Sequence, residues 1–223
     1  MEIIPNVHLI PTGFVNVYLI VDADGLTLID AGMARNGKAI LDYIAGLGRS
    51  PGDLRRILVT HADPDHMGAL AALKAASGAR IACGPAEAEA IAAGRSSREI
   101  KPGLLLKPLF GLLSLFFKTV PASVDDLLTD GQVLPLLGGL HVVATPGHTP
   151  GHISLFAPAA GILFSGDSLI SEGDRLSLSR PANTWDAALA QTSARAQAAL
   201  GATIVCPGHG PVVTDAAGKF PAV

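Results

Sequence analysis

The sequence is poor in aromatic and charged residues. Of its 223 residues, 4% are aromatic and 16% are charged, whereas 49% are hydrophobic. So few aromatic residues argue against a platform on which nucleic-acid bases stack. A net charge of −3 without a long basic run argues against a phosphate backbone as a partner. The hydrophobic content predicts a substantial core and excludes a disordered chain. We therefore expect a globular protein that acts on a small molecule and does not bind nucleic acid.

Cysteine is also scarce, and the apolar runs are short or interrupted. Cys83 and Cys206 lie far apart among apolar residues, which favours two buried thiols over a disulfide. The Leu- and Phe-rich run at 103–118 contains a lysine, a proline and a glycine, whereas a membrane-spanning helix needs about 20 apolar residues. The N-terminus has neither the basic nor the apolar region of a signal peptide. We therefore expect a cytoplasmic protein without stable membrane insertion.

The pattern of short apolar runs predicts strands and helices in two similar halves. Glycine and proline separate the runs, and helices with apolar residues at helical spacing follow them. This order is typical of an α/β protein in which helices cover sheets. The predicted strands are 15–21, 26–29, 56–60, 80–83, 133–136, 140–145, 153–156, 161–164 and 203–206, and the predicted helices are 36–48, 67–77, 85–91 and 184–200.

An apolar insert at about 95–125 interrupts this pattern. Residues 1–223 are otherwise expected to form one domain. The Leu- and Phe-rich part at 103–118 could pack on its own domain, or it could form a lid, a membrane-touching element or the surface of a homodimer. The sequence leaves these alternatives open.

The most informative stretch is the loop that holds His61, Asp63, Asp65 and His66. It lies between the strand at 56–60 and a predicted helix. Imidazole and carboxylate are the ligands of zinc, iron and manganese sites. The alternative is that an aspartate of the loop caps the helix. The metal interpretation is favoured because two carboxylates packed together without a cation would repel each other.

Three later strand ends carry further metal-binding residue types. His148, Asp167 and His209 each follow a short apolar run and lie among glycines and prolines, which hold tight turns. Strand ends at one edge of a sheet converge in space. We therefore predict that these three residues join the first loop in one metal centre.

Taken together, these motifs resemble those of the metallo-β-lactamase-fold superfamily and its glyoxalase-II-like subgroup. The Asp30-Ala-Gly turn, the loop at 61–66 and the turns at His148, Asp167 and His209 match the family's motifs in order. The resemblance implies an αββα four-layer sandwich. It also implies a metal-dependent hydrolase, in which a metal-bound hydroxide cleaves an ester, thioester or lactone, with two divalent ions and zinc as the first expectation.

The resemblance also implies a role for each residue. One metal site would take His61, Asp63 and His148, the second would take Asp65, His66 and His209, and Asp167 would bridge them. Asp65 would in addition be catalytic, orienting the attacking water. Asp30 would orient a metal-bound histidine from outside the ligand set, and His152 would be an outer or structural residue.

Asp63 departs from the family's commonest loop, which has histidine there. A third carboxylate would lower the positive charge of the pair of ions and favour iron or manganese relative to zinc. The alternatives are a single ion at Asp65, His66 and His209, an iron redox or sulfur-oxidising protein of the same fold, or an inactive metal-binding relative. The apolar insert at 103–118 leads us to expect an apolar acyl or aromatic group in the substrate.

Overall fold

Two mixed β-sheets form the centre of the structure, a computed structural model that describes residues 1–98 and 119–223. The strands of the first sheet are β1 Glu2–Ile4, β2 Val7–Ile10, β3 Val17–Asp22, β4 Gly25–Ile29, β5 Leu54–Val59, β6 Arg80–Cys83 and β7 Asp126–Leu127. The strands of the second are β8 Val133–Leu134, β9 Leu140–Ala144, β10 Ile153–Ala157, β11 Ile162–Gly166, β14 Ile204–Pro207 and β15 Val213–Thr214. The first sheet follows chain order, and the second has the order β15-β14-β11-β10-β9-β8.

Helices cover the outer face of each sheet, and a small hairpin lies apart from both. The helices are α1 Gly37–Gly46, α2 Pro64–Met67, α3 Leu70–Ser77, α4 Ala88–Ala93 and α5 Ala187–Ala199, and the hairpin strands are β12 Ile170–Glu172 and β13 Arg175–Ser177. Within residues 1–98 and 119–223, no helix combines the length and the apolar character that crossing a bilayer requires.

Three buried clusters correspond to the three interfaces of a four-layer sandwich. Leu19 of β3 joins the cluster that contains the buried side chains of α1 and α3. The next residue, Ile20, points to the other face and joins the cluster between the two sheets, as the alternation along a strand requires. Leu163 of β11 joins a third cluster with Ala194 of α5. The layers are therefore helix, sheet, sheet and helix, and the predicted α/β sandwich is confirmed.

The two sheets meet at the edge where their parallel strands end. β4, β5 and β6 are parallel to one another, and β11 is parallel to β14. The backbone N–H of Ile153 donates to the carbonyl of Thr60 over 3.0 Å and joins the sheets at this edge. Consequently the loops that follow β5, β9, β11 and β14 open on the same side of the molecule.

Several element boundaries differ from the sequence-based prediction for identifiable reasons. The helix predicted at 67–77 starts earlier, at Pro64, and is divided into α2 and α3 at Gly68, whose backbone packs so closely on Ala34 that a Cβ atom would overlap it. The last helix starts at Ala187 instead of 184 because the Asp186 side chain caps it, accepting from the N–H groups of the next turn. Strands β1, β2, β7 and β15 and the β12–β13 hairpin are not predicted from the sequence. The insert at 103–118 lies outside the described residues, so the alternatives for it stay predictions, as does the single domain.

Candidate metal centre

Loops from both sheets bring the predicted ligands together. The loop after β5 supplies His61 and Asp63, and the short helix α2 that follows it supplies Asp65 and His66. The turns after β9, β11 and β14 supply one residue each. Their ligand atoms form three groups in which all atoms lie within 4.8 Å of one another. These groups are His61, His66 and Asp167; His61, Asp63 and His148; and Asp65, His66 and His209.

The first predicted site lies on the side of His61 and His148. Asp63 Oδ2 is 3.1 Å from His148 Nε2 and 3.8 Å from His61 Nε2. All three residues are buried. Asp63 occupies the N-cap position of α2 but makes no side-chain capping hydrogen bond. The carboxylate is therefore directed at the two imidazoles and does not cap the helix.

The second predicted site lies on the other side of Asp167. His209 Nε2 is 3.2 Å from Asp65 Oδ2 and 3.4 Å from His66 Nε2. Asp167 lies between the two groups, with Oδ1 3.3 Å from His66 Nε2 and Oδ2 3.6 Å from His148 Nε2. Its position between the groups is the one expected for a bridging ligand.

Orphaned polar atoms indicate that a cation fits between these residues. Among residues 1–98 and 119–223, the buried atoms His61 Nε2 and Asp167 Oδ1 have no hydrogen-bond partner. A buried polar atom without a partner is costly, and a metal ion would satisfy both. The donor set of imidazole nitrogens and carboxylate oxygens suits zinc, iron or manganese. The residues that are present therefore fit the divalent ions that the motifs imply.

The far nitrogens of three imidazoles are held by partners outside the set. His66 Nδ1 lies 2.9 Å from Asp30 Oδ2, which is the contact predicted for Asp30. His61 Nδ1 lies 2.9 Å from Thr60 Oγ1, and His209 Nδ1 donates to the carbonyl of Phe14 over 3.0 Å. Each contact fixes the ring and leaves Nε2 for a metal ion. The Nδ1 atom of the fourth ring, His148, has no such partner among the described residues.

His152 lies behind the centre, as predicted. Its ring is buried and stacks on His61 with centroids 5.0 Å apart. Its Nε2 accepts from the backbone N–H of Asp167 over 3.1 Å, and its Nδ1 lies 2.8 Å from Thr145 Oγ1. Burial, together with the charge of His148, lowers the pKa of His152 to about 3, so the ring is a neutral acceptor that orients the loop of Asp167.

The electrostatics match a site that holds cations. Burial lowers the pKa of His61 well below its usual value and keeps this ring neutral. Burial opposes ionisation of Asp167, but His66 and His209 outweigh it and hold the pKa of this carboxyl well below its usual range. Burial likewise opposes protonation of His209, yet its bonds to Asp167 and Asp65 raise its pKa to about 10. Without metal, this imidazolium supplies part of the positive charge, and an ion that binds must displace its proton.

A guanidinium and a hydroxyl contact Asp63 from the segment after α4. Arg98 donates to Asp63 Oδ2 from Nη2 over 2.6 Å and from Nε over 3.1 Å. Ser96 Oγ donates to Asp63 Oδ1 over 2.6 Å. Neither residue lies within a recognisable motif, so the sequence alone gives them no role.

Glu87 is a third residue near the centre to which the sequence gives no role. It lies just before α4 and is fully buried. Its Oε2 accepts from the backbone N–H of Ala62 over 2.7 Å and from Ser97 Oγ over 2.6 Å. Its Oε1 accepts from the N–H of Gly151 over 2.7 Å and from Thr149 Oγ1 over 2.9 Å. The carboxylate of Glu87 thus connects three parts of the chain: the loop of His61, the turn of His148 and the segment at 96–98, which contacts Asp63.

Comparisons with known proteins agree with this geometry. The family model described as the metallo-beta-lactamase superfamily matches residues 10–209. The hydroxyacylglutathione hydrolase of Rhodobacter capsulatus is 36% identical over 169 residues, which cover 75% of this chain and 52% of that protein. YobT of Bacillus subtilis (strain 168) is 32% identical over 160 residues, which cover 71% of this chain and 64% of that protein. This chain therefore spans between about half and two thirds of the length of these curated relatives.

Solved structures with the same fold cover nearly the whole chain. A metallo-beta-lactamase family protein of Thermus thermophilus has a TM-score of 0.75 and 25% identity, covering 98% of this chain and 78% of that one. A metallo-beta-lactamase of Cronobacter sakazakii with a HARLDQ motif has a TM-score of 0.74 and 28% identity, covering 94% and 77%. That motif and the loop at 61–66 share His, Ala and Asp at their first, second and fifth letters.

Proposed function

This chain belongs to the metallo-beta-lactamase superfamily of metallo-hydrolases, and on that basis we propose that it hydrolyses an ester, thioester or lactone of a small, partly apolar substrate. The observation that carries the proposal is the convergence of seven imidazole and carboxylate side chains at one edge of both sheets. The similarity to a hydroxyacylglutathione hydrolase supports a thioester as the first substrate class to test.

The proposal assigns the ions to two groups of ligands. His61, Asp63 and His148 would hold one ion and Asp65, His66 and His209 the other, with Asp167 between them. Divalent ions at such positions supply positive charge that polarises a carbonyl group and makes water more acidic. The fixed Nδ1 contacts of the imidazoles keep the ligands in place before the substrate arrives.

Asp65 is the proposed catalytic residue. Burial opposes its ionisation, but the hydrogen bond to His209 outweighs it and lowers the pKa of the carboxyl. The carboxylate is therefore ionised at neutral pH and can accept a hydrogen bond from the attacking water. In the proposed reaction, the water oxygen bonds to the carbonyl carbon and the bond from that carbon to the leaving sulfur or oxygen breaks. Asp65 passes the proton of the water to the leaving group.

Exposed aromatic side chains beside the centre support an apolar substrate group. Phe14 is 65% exposed, and its ring lies 5.0 Å from the ring of His209. Trp185 is 49% exposed, and its backbone N–H donates to the carbonyl of His148. An apolar acyl group of the substrate would cover these two side chains on binding and gain the free energy of removing them from water. Arg195 and Lys219 are basic residues in the C-terminal part of the chain that an anionic substrate would attract. Both side chains donate to backbone carbonyls, so we do not assign either of them to substrate binding.

A panel of thioesters, lactones and phosphodiesters, assayed with zinc, iron or manganese restored, tests the proposal. We expect hydrolysis of carbonyl esters or thioesters, with kcat/KM about tenfold higher for a long or aromatic acyl group than for acetyl. Phe14→Ala and Trp185→Ala should reduce this preference. Val133→Ala, at a similarly exposed apolar residue on β8, is the control. Equal turnover of acetyl and long acyl substrates would contradict the apolar group, and hydrolysis of phosphodiesters alone would contradict the carbonyl chemistry.

A further inference from the structure

The ion pair between Asp63 and Arg98 lies at the edge of the first predicted metal site. Asp63 Oδ2 accepts from Arg98 Nη2 over 2.6 Å and also lies 3.1 Å from His148 Nε2. The Asp63 side chain is 5% exposed and the Arg98 side chain 12%. The guanidinium thus contacts the same oxygen atom that faces the imidazoles of the first site.

An ion at this site and the guanidinium would share one carboxylate. At contact distance in a buried environment, charges are little screened by solvent or salt. Arg98 already supplies a positive charge to Asp63, and it would repel a divalent ion bound to the same oxygen. Among the described residues, no arginine or lysine pairs with Asp65, whose Oδ2 faces His209. His209 is itself a predicted ligand and loses its proton when an ion binds, whereas Arg98 keeps its charge.

The orientation of Asp63 does not depend on Arg98 alone. Ser96 Oγ donates to Oδ1 over 2.6 Å, and the backbone of Asp63 is fixed at the N-cap position of α2. Removing the guanidinium would therefore leave the carboxylate directed at His148. We expect the loss of the guanidinium charge to affect the site more than any displacement of the Asp63 carboxylate.

We propose that Arg98 is a positioning residue that makes the two metal sites unequal, lowering the affinity of the His61, Asp63 and His148 site for a divalent ion below that of the other site. This inference rests on the two-ion centre of the proposed function and adds an order of occupancy to it. The first site would fill last and empty first.

Zinc titration of the full chain, stripped with a chelator, tests the proposal. The wild-type protein should bind a second equivalent of zinc at least about tenfold more weakly than the first, and Arg98→Gln should tighten that second equivalent about tenfold. Arg98→Lys keeps the charge and should stay near the wild type. Arg95→Gln is the matched control, because Arg95 pairs with the exposed Glu89 on the surface.

Thermal unfolding gives a second measure of the effect of Arg98 on zinc binding. Because Arg98 and zinc both offset the charge of Asp63, Arg98→Gln should lower the Tm of the metal-free protein more than that of the zinc-loaded protein. If the metal-free variant does not fold, the zinc-loaded variant can be mixed with excess chelator. Of its two zinc ions, the one that is bound more weakly should then dissociate about tenfold more slowly than the corresponding ion of the wild type.

The zinc titrations distinguish an error in the role of Arg98 from an error in the two-ion centre. If the wild type binds two equivalents and Arg98→Gln binds the second equally or more weakly, the inference is wrong and the centre stands. If the wild type and every variant bind one equivalent or none, both are wrong.

Discussion

At the scale of single residues, Asp63 shows how a buried third carboxylate is accommodated. Burial opposes its ionisation, but the hydrogen bonds to His148 and Arg98 and the charge of Arg98 outweigh it and hold its pKa well below the usual range. Three carboxylates facing two ions predict a less positive centre. Arg98 adds a positive charge beside Asp63, so the preference for iron or manganese over zinc is weaker than the sequence indicates.

His152 provides a pH prediction at this scale. Its pKa is about 3 in the folded protein, below the usual histidine value of about 6.5, because the ring is buried. The unfolded state therefore binds the proton more readily, and this group's contribution to stability is complete above about pH 6.5 and is lost as the pH falls towards 3.

The His152→Gln variant isolates that contribution, because glutamine can accept from the N–H of Asp167 but does not titrate. We expect the free energy of unfolding of the metal-free wild type to fall more steeply between pH 6.5 and 4 than that of the variant. Denaturant titrations at several pH values measure both slopes. Parallel slopes would show that His152 does not titrate differently in the two states.

Gly208 provides a residue-scale prediction about the metal centre. A Cβ atom at this position would overlap Asp167 Oδ1 and lie 2.7 Å from His66 Cε1. Gly208→Ala should therefore displace two predicted ligands and weaken zinc binding by at least about tenfold, although residue 208 is not itself a ligand. Gly46→Ala, at a glycine with no atom near its Cβ position and no left-handed backbone conformation, is the control for the added methyl group. Unchanged zinc affinity in Gly208→Ala would contradict the described packing of the centre.

At the scale of secondary-structure elements, the site is built from loops that buried polar groups hold together. Glu87 precedes α4 and accepts hydrogen bonds from the loop after β5 and from the turn before β10. The backbone bond from Ile153 to Thr60 joins the same two loops. The ligands on these loops therefore keep their spacing through contacts between the two sheets.

Glu87→Gln tests this connection. An amide nitrogen cannot accept, so at least one buried donor would lose its partner, and the free energy of unfolding should fall by about 2–3 kcal/mol. Glu89→Gln, two residues along and exposed, should change it by less than about 0.5 kcal/mol. Urea denaturation of the metal-free proteins gives both values. Equal stabilities would show that the carboxylate of Glu87 contributes nothing that an amide cannot.

The ligands could be predicted from the sequence because each lies in a local pattern. Asp167 and His209 follow short apolar strands and are flanked by glycine, so their loops are visible in a single stretch of sequence. Arg98, Ser96 and Glu87 could not be predicted, because their contacts with the centre come from packing between distant segments. The division of the helix at Gly68 was missed for the same reason, since the close contact is with the distant backbone of Ala34.

At the scale of the whole molecule, the metal centre lies where the two halves of the fold meet. His61 and Asp65 come from the first sheet, whereas Asp167 and His209 come from the second. Ions bound between these residues would link the two halves only in the folded state, so binding would stabilise the folded state relative to the unfolded state. By mass action, zinc at 1,000 times its dissociation constant should stabilise the protein by about 4 kcal/mol per site.

Zinc stoichiometry is the most direct test of the proposed two-ion centre, because the seven predicted ligands form groups on both sides of Asp167. The full chain, stripped with a chelator, is titrated with zinc and the bound equivalents per chain are counted. We predict two equivalents, the second weaker than the first. A chain that binds a single equivalent, or none, would contradict the two-ion centre.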